Sequence, residues 1–526
     1  MAQKELKIQP REYQKRILET CKKQNCIVIL PTGTGKTLIA IMLAIERFKK
    51  FPLEKVLVLA PTRPLVEQHL KSFKKNLPED WADMQIFTGK TQANERKKIW
   101  QTAEFVFSTP QCIANDLKKN LYTLEDVSLL IEDECHRCLK NYSYNFISQR
   151  YKEQAKNPRI LGLTASPGSD KETIKKVCEN LGIEAVEIRT RESEDVKPYL
   201  QELEFEKIDV AFPPEFQEIR FLLQEIYNDK VSELQHRKVL FSRPSRTTLL
   251  ECQRKLFHSL NSGNKSPNIF LSVSACAQAI KISHAIELLE TQSISSFTLY
   301  LKKIYKESNE GTSKAAKRII QDKRFQKAFS LATTLNLEHP KINKLKEIVE
   351  EKIKNEPKSK ILVFAQFRDT VNKITLELNK IPGIKSDIFV GQAKKSHGKN
   401  EKGEEKTTGL NQKEQREIIE KFSNGEINVL VATSIAEEGL DIPEVSEVIF
   451  YEPIPSAIRS IQRRGRTARL FPGTLKILVT KDTRDATYYY ASGAKEKRMH
   501  KAIQDIKDDL DNGVDIKTKE EQGKLF

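Results

Sequence analysis

The sequence predicts an α/β fold of two parallel sheets with an all-α insertion between them, and three observations carry that prediction. Residues 26–30 form a short apolar, β-branched run that leads through Pro31-Thr32-Gly33-Thr34-Gly35-Lys36-Thr37 into residues 38–48, where apolar side chains repeat at helical spacing. Short apolar runs then alternate with amphipathic stretches in two separate series, the rhythm of parallel sheets covered by helices. Between the series, from about Glu202 to Leu335, only the helical period survives.

The strand–turn–helix unit at the start is a phosphate cradle. Glycines 33 and 35 let backbone N–H groups turn inward around a polyphosphate, with Thr32 and Thr34 completing the loop. Lys36 supplies a point charge for the outer phosphates and Thr37 a hydroxyl for Mg²⁺. Leu30 stands where the strict pattern has its first glycine, so the variant with only the two inner glycines fits better. A nucleoside triphosphate, ATP, is the expected ligand. Just upstream, on an expected helix end, Gln14 has an amide that could read an adenine edge by donating and accepting at once.

After the cradle, apolar runs at 56–60, 105–108, 129–132 and 160–163 are expected strands, and each ends in a polar motif. These are Pro61-Thr62-Arg63, Thr109-Pro110-Gln111, Asp133-Glu134-Cys135-His136 and Thr164-Ala165-Ser166-Pro167. Ligands of open parallel sheets bind beyond the carboxyl ends of the strands, and four motifs in succession obey that rule. The apolar run before Asp133 would bury the strand and push two carboxylates out beside the phosphates. Asp133 would then orient Mg²⁺, largely through water, and Glu134 would polarise the attacking water.

The helical insertion shows apolar faces at Phe216, Ile219, Leu223, Ile226, Val231 and Leu234, and again at Ile282, Ile286, Leu289, Phe297, Leu301 and Ile304. Lysines and arginines recur in it, which suits nucleic-acid contact. The second series has strands at 361–365, 387–390, 429–432, 448–451 and 475–479 but no cradle. Gly439 would permit close backbone approach, and Asp441 would meet a ribose or the metal shell. In Gln462-Arg463-Arg464-Gly465-Arg466-Thr467-Ala468-Arg469 the arginines fall three apart on one helix face. Guanidinium forks at that spacing suit charge developing on a γ-phosphoryl group, or else the helix merely touches phosphate backbone. The expected division is 1–200 for the cradle domain, 201–335 for the insertion, 336–485 for the second domain and 486–526 for a charged, partly disordered helical tail.

Composition bounds these readings. The chain has 526 residues, 38% hydrophobic and 31% charged, too long for one core. No apolar run approaches the roughly 18 residues of a membrane span, and Met-Ala-Gln-Lys-Glu begins no signal peptide, so no membrane contact and an intracellular place are expected. The eight cysteines are scattered and expected reduced; Cys135-His136-Arg137-Cys138 has half of a zinc pattern with no second CxxC. A net charge of +17 points to a polyanionic partner, nucleic acid most simply.

Taken together, Gln14, the cradle, Asp-Glu-Cys-His, Thr-Ala-Ser-Pro and Gln-Arg-Arg-Gly-Arg-Thr-Ala-Arg resemble the motifs of superfamily 2 helicases. Within them, Val363-Phe364-Ala365-Gln366-Phe367-Arg368-Asp369-Thr370 and residues 450–469 resemble the Hef and Fanconi anaemia translocase family, over nearly the whole chain. The resemblance implies two RecA-like domains flanking a thumb-like insertion, ATP hydrolysis with Mg²⁺ between them, and action on forked or branched DNA in replication-fork repair. It assigns Lys36 and Thr37 to phosphate and Mg²⁺, Asp133 and Glu134 to metal and water, Gln14 to adenine, and Gln462, Arg466 and Arg469 to the second wall of the ATP site. Thr62, Arg63, Thr88, Gly89, Thr109, Arg368 and Thr433 are implied along the nucleic-acid track.

Two departures stand out. Hef proteins generally carry alanine where Cys135 stands, whereas Dicer and the innate-immune RNA helicases share the cysteine, so a duplex-RNA translocase or sensor is an alternative. Only a short tail follows Arg469, and no nuclease activity is inferred. A structure-specific nuclease or a sliding clamp is a candidate partner, the latter because Gln522-Gly523-Lys524-Leu525-Phe526 faintly resembles a clamp-binding motif. An ATP-gated clamp that recruits a nuclease is a further alternative. The expected location is cytoplasmic and nucleoid-associated.

Overall fold

In the computed structural model, residues 9–78, 81–168, 170–263, 266–335, 337–391, 396–399, 405–407, 409–434, 442–454, 456 and 472–514 are described. The first sheet comprises β1 (Cys26–Ile29), β2 (Lys55–Leu59), β3 (Met84–Phe87), β4 (Phe105–Ser108), β5 (Val127–Asp133), β6 (Ile160–Thr164) and β7 (Ala185–Ile188). All pairings are parallel, in the order β3-β4-β2-β5-β6-β1-β7. Helices α1 (Glu12–Lys23), α2 (Lys36–Lys50), α3 (Arg63–Asn76), α4 (Ala93–Thr102), α5 (Pro110–Lys118), α6 (Ser143–Gln154) and α7 (Lys171–Leu181) accompany it.

Strands covered on both faces read as continuous apolar runs, and β5 illustrates why. All seven of its residues are buried. Leu129 and Ile131 enter one layer with Val28, Val58 and Phe105, while Val127 and Leu130 enter the other with Ile27 and Leu57. Each such side chain contributes about 1.5–3 kcal/mol by leaving water.

The bundle contains α8 (Pro214–His236), α9 (Arg246–Asn261), α10 (Pro267–Thr291), α11 (Ile294–Asn309), α12 (Lys314–Gln321) and α13 (Lys323–Thr334). Both apolar faces expected from its sequence are buried in its core. Among the described residues α10 is long and apolar enough to cross a membrane by length and composition, although Ser272, Ser274, Gln278 and Ser283 interrupt its apolar run. Here it is the central helix of the bundle, packed on α8 and α9.

The second sheet draws on β8 (Leu203–Val210), β9 (Ile361–Phe364), β10 (Ser386–Phe389), β13 (Val429–Ala432), β14 (Glu447–Phe450) and β15 (Gly473–Thr480), in the parallel order β10-β13-β9-β14-β15-β8. A separate antiparallel pair, β11 (Ser396–Lys399) and β12 (Glu405–Thr407), lies in the lysine-rich segment between. Helices α14 (Pro340–Asn355), α15 (Arg368–Leu378), α16 (Gln412–Asn424) and α17 (Arg484–Asp511) complete the fold.

Two elements depart from the expected division. Residues 203–210, assigned to the insertion, form the edge strand β8 of the second sheet; half of that strand is exposed, so its sequence lacks the apolar run that marks the others. Residues 486–511, assigned to a charged tail, belong to a 28-residue helix that runs back to the first sheet. Met499, Ala502, Ile503 and Ile506 are buried there against α7 and β7, and Lys171 pairs with Asp509 at 3.3 Å.

The bundle is fastened to the second sheet by buried charges. The Lys341 ammonium donates to Asp485 at 2.6 Å and to the Thr291 carbonyl at 2.9 Å, with both charged side chains fully buried. Arg484 donates to the Ser283 carbonyl at 2.7 Å and lies 3.6 Å from Glu290. Pairing is what makes such burial tolerable.

Candidate nucleotide and nucleic-acid site

The cradle joins β1 to α2, and its two glycines both adopt φ +81°, the left-handed region a side chain resists. Thr34 closes the loop by donating to the Pro31 carbonyl at 2.7 Å. Helix α1 braces it from outside: the Tyr13 hydroxyl and the Gln14 amide both donate to the Thr34 carbonyl, the latter at 3.0 Å. The Gln14 carbonyl oxygen accepts from the Arg11 amide at 2.9 Å, and the side chain is 2% exposed. The amide expected to read adenine is thus bound to the cradle itself in this structure, because the folded loop brings a backbone carbonyl within its reach.

A side chain at Gly35 would displace the Gln14 amide from the cradle. A Cβ there would lie 2.4 Å from the Gln14 amide nitrogen, at a φ that already disfavours one. Gly35→Ala is expected to weaken ATP binding about tenfold or more, measured by titration with a fluorescent analogue, because it combines this clash with backbone strain.

The Lys36 ammonium reaches back to the Leu30 and Pro31 carbonyls at 2.9 and 3.3 Å. Asp133 ends β5, two strands from β1, with its carbonyl held by the Tyr144 hydroxyl at 2.7 Å. Its carboxylate Oδ2 lies 2.8 Å from His69 Nε2 on α3. Burial pushes the Asp133 carboxyl up, but the His69 charge and hydrogen bond together with Lys36 outweigh it and hold it below its ordinary value. Behind it, Glu132 is fully buried and accepts from Ser148 at 2.6 Å; burial raises its carboxyl to about 8.

Glu134 takes φ +51°, a left-handed conformation uncommon for a residue with a side chain and often found at functional sites. Its Oε2 lies 3.3 Å from His136 Nδ1, and the same nitrogen lies 3.2 Å from the Thr164 hydroxyl at the end of β6. Thr164 Oγ1 also accepts from the Ser166 amide at 3.1 Å. His136 therefore links the Glu134 carboxylate to the Thr-Ala-Ser segment. Cys135 points the other way: it is fully buried, and Gly162 of β6 leaves it space, since a Cβ there would meet its sulfur at 3.0 Å.

The track positions sit at carboxyl ends of strands as well. Thr62 and Arg63 follow β2, Thr88 and Gly89 follow β3, and Thr109 follows β4. Thr62 and Thr109 are N-caps of α3 and α5, and Arg63 donates to Glu67 at 2.7 Å. On the second sheet Arg368 opens α15 and donates to the Gly391 carbonyl at 3.0 Å, and Thr433 follows β13. Sheet order thus separates two halves of one edge, with β6, β1 and β5 under the cradle and carboxylates and β3, β4 and β2 under the positions expected to meet nucleic acid. Gly439, Asp441, Gln462, Arg466 and Arg469 lie outside the described residues. His69 was not foreseen: a histidine in an amphipathic helix carries no local signal, and its partner lies 64 positions away.

Known proteins share this arrangement. The family described as DEAD/DEAH box helicase matches residues 11–174, the helicase conserved C-terminal domain matches 340–471, and a helical bundle described as that of a putative ATP-dependent RNA helicase matches 215–339. The crystal structure of the Pyrococcus furiosus Hef helicase domain is 46% identical in sequence, with a TM-score of 0.70 over 92% of this chain and 98% of its own. This chain belongs to the Hef helicase family. The Hef-family assignment extends to curated proteins: the putative ATP-dependent RNA helicase MJ1505 of Methanocaldococcus jannaschii is 38% identical over 95% of the chain and 61% of its own length. The mouse Fanconi anemia group M protein homolog is 33% identical over 94% of the chain and 26% of its own length. The chain thus spans less than two thirds of the length of these curated relatives.

Proposed function

We propose that the chain is an ATP-driven DNA helicase or translocase that acts on forked or branched DNA in replication-fork repair. The observation that carries this reading is the shared edge of the first sheet, where the phosphate cradle and the expected nucleic-acid positions stand on neighbouring strands. Relatives whose names specify ATP-dependent DNA helicases, from Neurospora crassa and Schizosaccharomyces pombe, support it.

The residues present fit Mg²⁺ carried in on ATP. One hydroxyl, Thr37, and one carboxylate, Asp133, suit an ion that keeps several waters and takes its other ligands from phosphates. Among the described residues no group of three or more His, Cys, Asp or Glu side chains forms a cage for a resident metal. When bound, Mg²⁺ neutralises charge on the β- and γ-phosphates. Lys36 holds those phosphates, Glu134 orients the attacking water, and Arg466 and Arg469 complete the site from the second domain on closure. Alternating grip on the strand then turns each cycle into a step. Separating duplex costs roughly 1.4 kcal/mol per base-pair step in stacking, whereas branch migration forms new pairs as old ones break. Forked and branched substrates are the easier task.

Cys135 does not decide between polymers, because it is buried in the core rather than on the edge. The RNA reading rests on the names of the M. jannaschii relative and of the helical-bundle family. ATPase rates with single-stranded, duplex and forked DNA and with duplex RNA, run beside a strand-displacement assay, separate the readings. Forked DNA is expected to stimulate most and to be remodelled; stronger stimulation by RNA overturns the DNA assignment, and brisk hydrolysis with every strand still annealed overturns the motor in favour of a clamp. A structure-specific nuclease or sliding clamp is the class of partner anticipated on nucleoid DNA; residues 522–526 lie outside the described residues.

A further inference from the structure

The two halves of the first sheet's functional edge meet between β2 and β5, and one helix crosses that joint. Helix α3 begins at the end of β2 with Thr62 and Arg63, two of the expected nucleic-acid contacts. Six residues further along, about 9 Å at helical rise, His69 leaves the same helix and meets Asp133 at the end of β5, Nε2 to Oδ2 at 2.8 Å. The carboxylate accepts, so Nε2 carries the proton, and the bond fixes the direction in which the carboxylate presents its remaining lone pairs. His69 is 5% exposed, and its other nitrogen, Nδ1, is buried with no hydrogen-bond partner among the described residues. A histidine kept only for packing would be as well served by an apolar ring, so the single bond to Asp133 is what the side chain provides. The same helix also feels the second domain, since Glu67 accepts from Arg63 at 2.7 Å and from Arg416 on α16 at 2.9 Å.

We propose that α3 is the element through which bound nucleic acid acts on the ATP site, and that His69 is its positioning residue for Asp133. Nucleic acid that draws on Arg63 changes the partners of Glu67 and the seat of α3, and His69 transmits that shift to the orientation of the carboxylate. The inference rests on the motor reading and names the regulation of its ATP site.

Hydrogen-bond partners behind metal ligands typically govern metal affinity by about 10- to 100-fold. The test is equilibrium binding of a fluorescent, non-hydrolysable ATP analogue to the full chain, with Mg²⁺ or with chelator, and with or without forked DNA. In the wild type, DNA is expected to tighten Mg²⁺-dependent binding. His69→Ala should weaken Mg²⁺-dependent binding about 10-fold or more and abolish the effect of DNA, with chelator-condition binding and DNA affinity unchanged. His69→Gln, which keeps an N–H donor at similar reach, should restore both. An alanine chain that keeps Mg²⁺-dependent affinity and the DNA effect overturns the inference while the motor reading stands; a wild type insensitive to DNA overturns both. Should His69→Ala lose its cooperative melting transition, His69→Leu fills the same space without a donor and carries the same comparison.

Discussion

Replacing Glu134 by glutamine is expected to lower ATP turnover by about 10²- to 10⁴-fold while leaving ATP and DNA binding close to wild type. The amide keeps the size and most of the polarity of the carboxylate but does not draw a proton from water. The contact most exposed to the exchange is that of Glu134 Oε2 with His136 Nδ1 at 3.3 Å, which loses its ionic part but can keep its geometry with an amide of the same size. Lys36→Ala should reduce turnover comparably for a different reason. Its ammonium is the cation of the cradle, and in the present structure it satisfies the Leu30 and Pro31 carbonyls, which lose a donor when it is removed. Steady-state phosphate release and filter binding of DNA read the two properties separately. Wild-type hydrolysis in either variant would remove the site from the cradle.

The second large effect lies in the second domain. Arg466→Ala and Arg469→Ala are each expected to lower the hydrolysis rate by about 10³- to 10⁵-fold, the range for guanidinium fingers that meet the γ-phosphoryl group. ATP affinity should change far less, because the cradle, Lys36 and Thr37 all belong to the first domain. The alternative, a basic helix touching phosphate backbone, predicts the reverse pattern: weaker DNA binding, a shallower salt dependence and a nearly normal single-turnover rate. Single-turnover hydrolysis of pre-bound ATP beside DNA binding over a salt series distinguishes the two.

How much of this was legible in the sequence follows from the range of each interaction. The cradle was legible because its strand, turn and helix are contiguous and its residue types answer one local demand. Strand β5 was read as residues 129–132 and runs from Val127 to Asp133, because buried Ser128 looks polar in sequence while its hydroxyl is satisfied by the Lys55 carbonyl at 3.4 Å. Strands of the second sheet between 361 and 479 show as apolar runs, whereas β8 does not because it is a half-solvated edge whose partner among the described residues, β15, lies 270 positions on. The docking of α17 was invisible for a related reason: Met499, Ala502, Ile503 and Ile506 make a narrow apolar stripe on an otherwise charged helix, and nothing local says which sheet will cover it. Gln14 shows a different limit: its donor and acceptor are plain in the sequence, whereas its bond to the Thr34 carbonyl at 3.0 Å comes from a partner 20 positions away.

The central claim is that one ATP site is assembled from the cradle of the first sheet and the arginines of the second domain when the two close. Spin labels at Lys50→Cys on α2 and Lys421→Cys on α16, both exposed positions, place one probe on each domain. Pulsed dipolar measurement of their separation, without ligand and with a non-hydrolysable ATP analogue plus forked DNA, tests closure directly. The distance distribution is predicted to shorten and narrow when both ligands are bound; an unchanged distribution at saturating ligand would contradict the account.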